Sequence, residues 1–275
     1  MKKILTYFTG IILLSAITTA ADLSVIPTPQ SVHFQPESFG FTELNSVQIV
    51  LGDSITADDE GVKILREAIV NSFGIQTNVV QTGDNSALAS INLVIASSDT
   101  GANKISAYEF TPEMTEEGYF LDILPNKITI AAKNPTGLFY GMMTLTQMIR
   151  SAEKGKIPCV LIKDFPSMKW RGVSDDFSRG QVSTMDNFKQ IIRFLAEDKI
   201  NVFIPYMEDV IQLEKYPDIG VGRGALSKDE IREIRRMPND FTSRSFRCFR
   251  RSAILKIFSR CRTTKNSPNI PARVR

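Results

Sequence analysis

The sequence predicts an α/β protein: a small α+β domain (a mixed sheet with two helices), then the first two β-α units of a (β/α)8 TIM barrel, left incomplete. Three observations predict this. Residues 22–150 alternate short β-rich runs with two amphipathic helical patterns. Residues 164–209 run strand, charged loop, amphipathic helix, apolar strand, the order of a β-α-β unit. The alternation then stops, one helix start further on, near residue 234.

Composition allows a buried core: 43% of the 275 residues are hydrophobic and 23% charged. The net charge of +3 averages two unlike regions. Residues 1–234 carry 21 Lys+Arg against 29 Asp+Glu, whereas residues 235–275 carry 12 against one, and 10 of those 12 are Arg. The predicted divisions follow: 1–21 a signal peptide, 22–155 the first domain, 156–234 the start of a barrel, 235–275 a basic tail. Cys159, Cys248 and Cys261 fit no zinc spacing, and the body does not depend on disulfides.

Lys2 and Lys3, an apolar run from Ile4 to Ile17, and the small residues Thr18 to Ala21 make a secretory signal in charge, length and cleavage chemistry, with an uncleaved membrane anchor as the other reading. The run is short of the ~20 residues of a spanning helix, and no later segment is long enough, so the expected destination is periplasmic or extracellular.

In the first domain, Ile26-Pro27-Thr28-Pro29-Gln30 is extended, because each proline fixes its own φ and biases its predecessor away from helix. Val47 to Leu51 and Ile91 to Ala96 read as strands. Asp58 to Phe73 reads as a helix capped by Asp58 or Asp59, with Val62, Leu65, Ala68, Ile69 and Phe73 on one face and Gly74 as its stop. Tyr119 to Ile123 and Lys127 to Ala132 form a hairpin around Pro125-Asn126. Thr136 to Ile149 is the second helix. Tyr119 and Tyr140 belong to the core.

In the second part, Cys159 to Ile162 is an extended lead-in and Trp170 to Ser174 the first barrel strand, with Trp170 read as core rather than as a sugar platform. Thr184 to Lys199 is a helix with Phe188, Ile191, Ile192 and Leu195 in its stripe. Asn201 to Tyr206 is a strand apolar enough to be buried on both faces. Ser227 and Glu230, three apart, form a capping box that opens a helix from Lys228 to about Ile234. Arg235-Arg236-Met237-Pro238 then breaks the pattern. The abrupt switch in base usage, in mid-helix, marks the tail as out-of-frame or disordered sequence. A tail that binds nucleic acid or a membrane surface is the other reading, and the export signal argues against a nucleic-acid partner.

These residues carry a resemblance. Ile26 to Gln30, Glu117-Gly118-Tyr119, and Gly137 to Gly141 with Thr144, Leu145 and Gln147 are similar to the α/β domain that precedes the barrel in family 20 glycoside hydrolases, the β-N-acetylhexosaminidases. Asp164-Phe165-Pro166, Trp170-Arg171-Gly172, Asp176, Ser178-Arg179 and Lys199 to Phe203 resemble the start of its catalytic barrel. The family 84 hexosaminidases share a similar preceding domain and Arg-Gly strand, so both families fit these residues. The family typically has histidines near the end of strand two. Here that region reads Ile204 to Asp209, Gly180 replaces the histidine after Ser-Arg, and the single histidine is His33.

The resemblance implies hydrolysis of glycans with a terminal N-acetylhexosamine, by a mechanism that needs no metal or cofactor. The sugar's own acetamido oxygen attacks the anomeric carbon, while an Asp-Glu pair on the fourth strand orients it and moves the proton. That pair is absent from the two units expected here, so the chain is expected to be truncated and inactive. A non-catalytic glycan- or protein-binding module is the alternative. The substrate-side residues implied are Arg171, whose fork suits two adjacent hydroxyls, Asp176 at the end of strand one, and Glu208 and Asp209 at the end of strand two. For Arg171 an ion pair with Asp175 or Asp176 stays open. Asp176 could equally cap its loop or pair with Arg171 or Arg179, and Glu208-Asp209 could be a solvated turn.

Overall fold

A computed structural model describes residues 23–52, 54–81, 89–96, 108–237 and 247–248. The predicted signal and most of the tail lie outside the described residues. The first domain holds strands β1 (Ser31–Gly40), β2 (Ser46–Leu51), β3 (Gln76–Val80), β4 (Ser90–Ile95), β5 (Tyr119–Leu124), β6 (Lys127–Ala132) and β7 (Lys156–Asp164), with helices α1 (Glu60–Phe73) and α2 (Pro135–Arg150). Its sheet runs β1-β7-β5-β6-β4-β2-β3. The β1, β7, β5 and β6 neighbours pair antiparallel, and the β6, β4, β2 and β3 neighbours parallel.

Side-chain alternation gives this sheet two covered faces. Tyr119, Leu121 and Ile123 of β5 and Ile128, Ile130 and Ala132 of β6 join the main core. Phe120 and Ala131 face the other way and meet Met114, Tyr108, Phe110, Leu161 and Phe165. α2 lies close on β5 and β6 because two glycines leave room. A Cβ on Gly137 would come 2.3 Å from the Gly118 carbonyl oxygen, and one on Gly141 2.4 Å from Ile130 Cγ2. Asn134 caps α2 by accepting from the Thr136 N–H, with Pro135 at its first turn. Gly74 ends α1 in the left-handed region at φ 70°, as predicted. Asp59 opens α1 without a side-chain cap; its carboxylate accepts from Thr56 N–H instead.

One boundary is corrected. Residues 156–162 were expected in the second part, but β7 is an inner strand of the first sheet, paired with β1 on one side and β5 on the other. The division therefore falls after Asp164. β1, β3 and most of β7 lacked a clean strand pattern for identifiable reasons. β1 is an edge strand carrying Pro36 and a register shift between Phe34 and Ser38. β3 is the opposite edge and has no fully buried residue. β7 contains Pro158, which sits opposite Ser38 at that irregularity.

The second part is β8 (Gly172–Asp176), α3 (Met185–Glu197), β9 (Val202–Tyr206), α4 (Lys228–Arg236) and β10 (Arg247–Cys248). β8 and β10 flank β9, both parallel to it. Thr184 caps α3, and both bonds of the Ser227–Glu230 capping box are made. α4 continues two residues beyond the predicted break, so Arg235 and Arg236 lie in its last turn, where cations suit the helix dipole. Trp170 precedes β8 and is 50% exposed, not a core residue. Phe177, Phe188 and Phe203 pack together, and one continuous buried cluster joins both parts from Val25 to Met237.

Candidate active-site face and the seam behind it

Three of the four residues singled out in the sequence come together. Asp176 ends β8 and stands opposite Tyr206, which ends β9; Glu208 and Asp209 follow directly. All lie at the C-terminal edge of a parallel sheet, where such folds leave side chains free for ligands. The Asp176 carboxylate accepts from Ser178 N–H at 2.8 Å and Ser178 Oγ at 2.5 Å, and meets Arg179 Nε at 3.4 Å. Those Ser178 bonds, with a smaller contribution from Arg179, hold it below the usual carboxylate range. Glu208 accepts from the Tyr206 hydroxyl at 3.0 Å and pushes that phenol up.

Asp209 pairs with Arg223, which also donates to the Ser178 carbonyl at 2.7 Å. Arg223 is delivered by the loop after β9, whose ends are tied by Leu226 N–H to Val210 O and Gln212 N–H to Leu226 O. Gly220 lets this loop close over Asp209, since a Cβ there would lie 2.6 Å from the Asp209 carbonyl oxygen. The second carboxylate oxygen of Asp209 is buried with no partner among the described residues. Arg179, Tyr206 and Arg223 thus complete the face. Arg179 was legible as a possible Asp176 partner, but Arg223 is brought in by a loop with no periodic signal.

Arg171 is placed elsewhere, at the opposite, N-terminal end of β8, and is not brought together with the other three. Its guanidinium makes four hydrogen bonds within the chain: to Lys199 O at 2.8 Å, Met168 O at 2.7 Å, Glu117 Oε2 at 2.7 Å and the Tyr140 hydroxyl at 3.3 Å. With four of five N–H donors engaged and the side chain 12% exposed, it has no fork left for a sugar diol. Its ion pair is with Glu117 of the first domain, not with Asp175 or Asp176.

This Arg171 cluster is half of a buried polar seam. Asn201 Nδ2 donates to Glu117 Oε1 at 3.2 Å. Beside it, Lys199 Nζ reaches Asp164 Oδ2 at 3.0 Å and the Tyr119 hydroxyl at 2.9 Å, and Tyr119 donates to Asp164. Burial pushes the Lys199 ammonium down, partly offset by Asp164, and pushes the Tyr119 and Tyr140 phenols up. Lys199 sits at φ 60°, a left-handed turn between α3 and β9 that aims its carbonyl at Arg171. Among the described residues no group of three or more His, Cys, Asp or Glu could hold a metal ion. No helix among them is long and apolar enough to cross a membrane.

Comparison with known proteins agrees with this architecture. Residues 22–165 match the family model described as glycosyl hydrolase family 20, domain 2. The chain belongs to glycosyl hydrolase family 20. It is similar to a beta-N-acetylhexosaminidase of Cellulomonas fimi, 33% identical over 96 residues, covering 34% of this chain and 19% of the relative. It is also similar to a beta-hexosaminidase of Vibrio furnissii, 24% identical over 224 residues, covering 78% of this chain and 32% of that one. Among solved structures, a chitobiase of Flavobacterium johnsoniae superposes with a TM-score of 0.61 at 27% identity, covering 82% of this chain and 34% of that chain. The chain therefore spans about a third or less of the length of these relatives. The family-model match ends at residue 165, beside the boundary that β7 defines.

Proposed function

We propose that this chain is the first domain and the opening of the catalytic barrel of an exported β-N-acetylhexosaminidase-like glycoside hydrolase. Its substrate class is glycans with a terminal N-acetylhexosamine. In this reading β8-α3-β9-α4 is the start of a (β/α)8 barrel, and Asp176, Glu208 and Asp209, with Arg179 and Arg223, stand on its substrate side. Carboxylates there accept from sugar hydroxyls and guanidinium groups donate to them. Arg171 acts through the strand pair rather than on the sugar. The acetamido oxygen of the substrate is the nucleophile, and the Asp-Glu pair that orients it and moves the proton belongs to a fourth barrel strand. The 275 residues by themselves are therefore inactive.

The observation that supports this most is the two ion pairs Asp176–Arg179 and Asp209–Arg223, linked through Ser178 at one edge of parallel strands, in a chain of this family. Purified chain given a chromogenic N-acetylglucosaminide should show no turnover; turnover overturns the inactivity. Titration with N-acetylglucosamine should shift the amide resonances of residues 176–179 and 206–209, and shifts confined elsewhere overturn the site. Residues 1–21 fused to a reporter should export it, and retention in the cytoplasm would defeat that part of the reading.

A further inference from the structure

The strands that carry the candidate face are held in an unusual way. None of the five residues of β8 is buried. Within β8 no apolar burial chooses the register; the nearest buried side chain is Phe177, just past its end, and a register held weakly at its start is prone to slip. A slip of one residue would take Asp176 off Tyr206 and turn its side chain to the other face.

A polar lock holds the start of the pair, the end that Phe177 does not reach. Arg171 N–H donates to Asn201 Oδ1 at 2.9 Å, and the Asn201 and Val202 N–H groups donate to Arg171 O at 2.9 and 3.0 Å. One carboxylate from the other domain then holds both residues. Glu117 Oε2 accepts from Arg171, at the entrance to β8, and Glu117 Oε1 accepts from Asn201, at the entrance to β9. Glu117 is 6% exposed and Asn201 1%. Asp164, the other seam carboxylate, takes one group from the second part, Lys199, and spends its remaining bonds on Gln30 N–H and the Tyr119 hydroxyl of the first domain. Glu117 instead spends one oxygen on each strand start.

We propose that Glu117 is a positioning residue: reaching across the seam, it sets the β8–β9 register at the strand starts and so the placement of Asp176 against Tyr206 at the strand ends. This goes beyond the proposed function and stands whether or not the face takes an N-acetylhexosamine.

The test is amide hydrogen exchange on the full chain and its Glu117→Gln variant. Glutamine keeps the volume but has one carbonyl and one amino group, so in either orientation an N–H2 confronts a donor and one strand start is released. The key readout is Phe177 N–H, which donates to Tyr206 O at the far end of the pair, 3.1 Å away. Its exchange should quicken about tenfold or more, as loss of a charge-assisted bond implies. The amides of Arg171 and Val202 should follow, and those of β4 and β6 should not change. Arg171→Lys, which keeps the charge but not the fork, should give the same selective pattern more weakly. Quickening at Arg171 alone, with Phe177 protected as before, overturns the proposal. Equal quickening in β6 overturns it too, as does failure of both variants to fold, because either marks Glu117 as general glue between domains.

Discussion

Lys199 and Asp164 meet at 3.0 Å between two domains, in a seam that leaves the lysine 5% and the aspartate 8% exposed. A pair so dry makes a specific demand on mutants. Removing either partner strands a buried charge, whereas removing both does not. Lys199→Met and Asp164→Asn should each lower stability by about 3–5 kcal/mol. The double variant Lys199→Met/Asp164→Asn should recover a large part of that. Urea unfolding of the full chain measures all three, and additive losses in the double variant would contradict the pairing.

The two glycines of α2 differ in what stands opposite them. Gly141 faces the tip of Ile130, a side chain that can turn, while Gly137 faces the backbone carbonyl of Gly118, which cannot move without its strand. Gly141→Ala should cost about 1–3 kcal/mol by overpacking. Gly137→Ala should cost more, despite the better helix propensity of alanine. Equal losses in thermal or urea unfolding would show that the helix simply shifts.

An ion ladder closes the outer side of the seam. Arg150 of α2 and Arg193 of α3 both hold Glu197, at 2.5 and 2.9 Å, and Arg193 also meets Glu67 of α1. Burial alone would raise the Glu197 pKa; the two arginines outweigh it and leave it below the usual 4.5. A depressed carboxylate contributes stability that is full above pH 4.5 and is lost as pH falls through its folded value. Stability measured between pH 6 and pH 3 should therefore fall, and Glu197→Gln should flatten that part of the profile. An unchanged slope would remove Glu197 from the acid response.

The shared core predicts unequal halves. A fragment of residues 22–165 keeps the whole seven-stranded sheet. A fragment of residues 166–275 keeps Lys199 and Arg171 without Asp164 and Glu117, and an edge strand with no buried residue. Limited proteolysis should leave the first largely intact and degrade the second quickly. Protection of the second fragment throughout would count against the seam as its support.

The elements legible in the sequence were those whose signal is local. Helical spacing of Val62, Leu65 and Ile69, the Gly74 stop, the Thr184 cap, the Ser227–Glu230 box and the Pro125-Asn126 hairpin all act within a few residues, and each is present. β1, β3 and most of β7 were not legible, because proline, edge position and an irregular register hide the alternation. On the candidate face, Asp176, Glu208 and Asp209 were reachable because strand ends can be read from the chain. Arg171, which the family resemblance placed on the substrate side, is instead taken up by Glu117, a partner 54 residues away that no local pattern reveals.

By itself, then, the sequence determined the two helices of the first domain, the hairpin, the strand-helix-strand order of the second part and the family to which these belong. The tertiary structure alone decided that β7 belongs to the first sheet, that Glu117 and Asp164 receive Arg171 and Lys199, and that Arg223 closes on Asp209. The reason is separation along the chain. Periodicity and capping are settled by neighbours a turn away, whereas Glu117 and Arg171 are 54 residues apart and Asp164 and Lys199 are 35 apart. Their meeting depends on how a whole sheet packs against the next one.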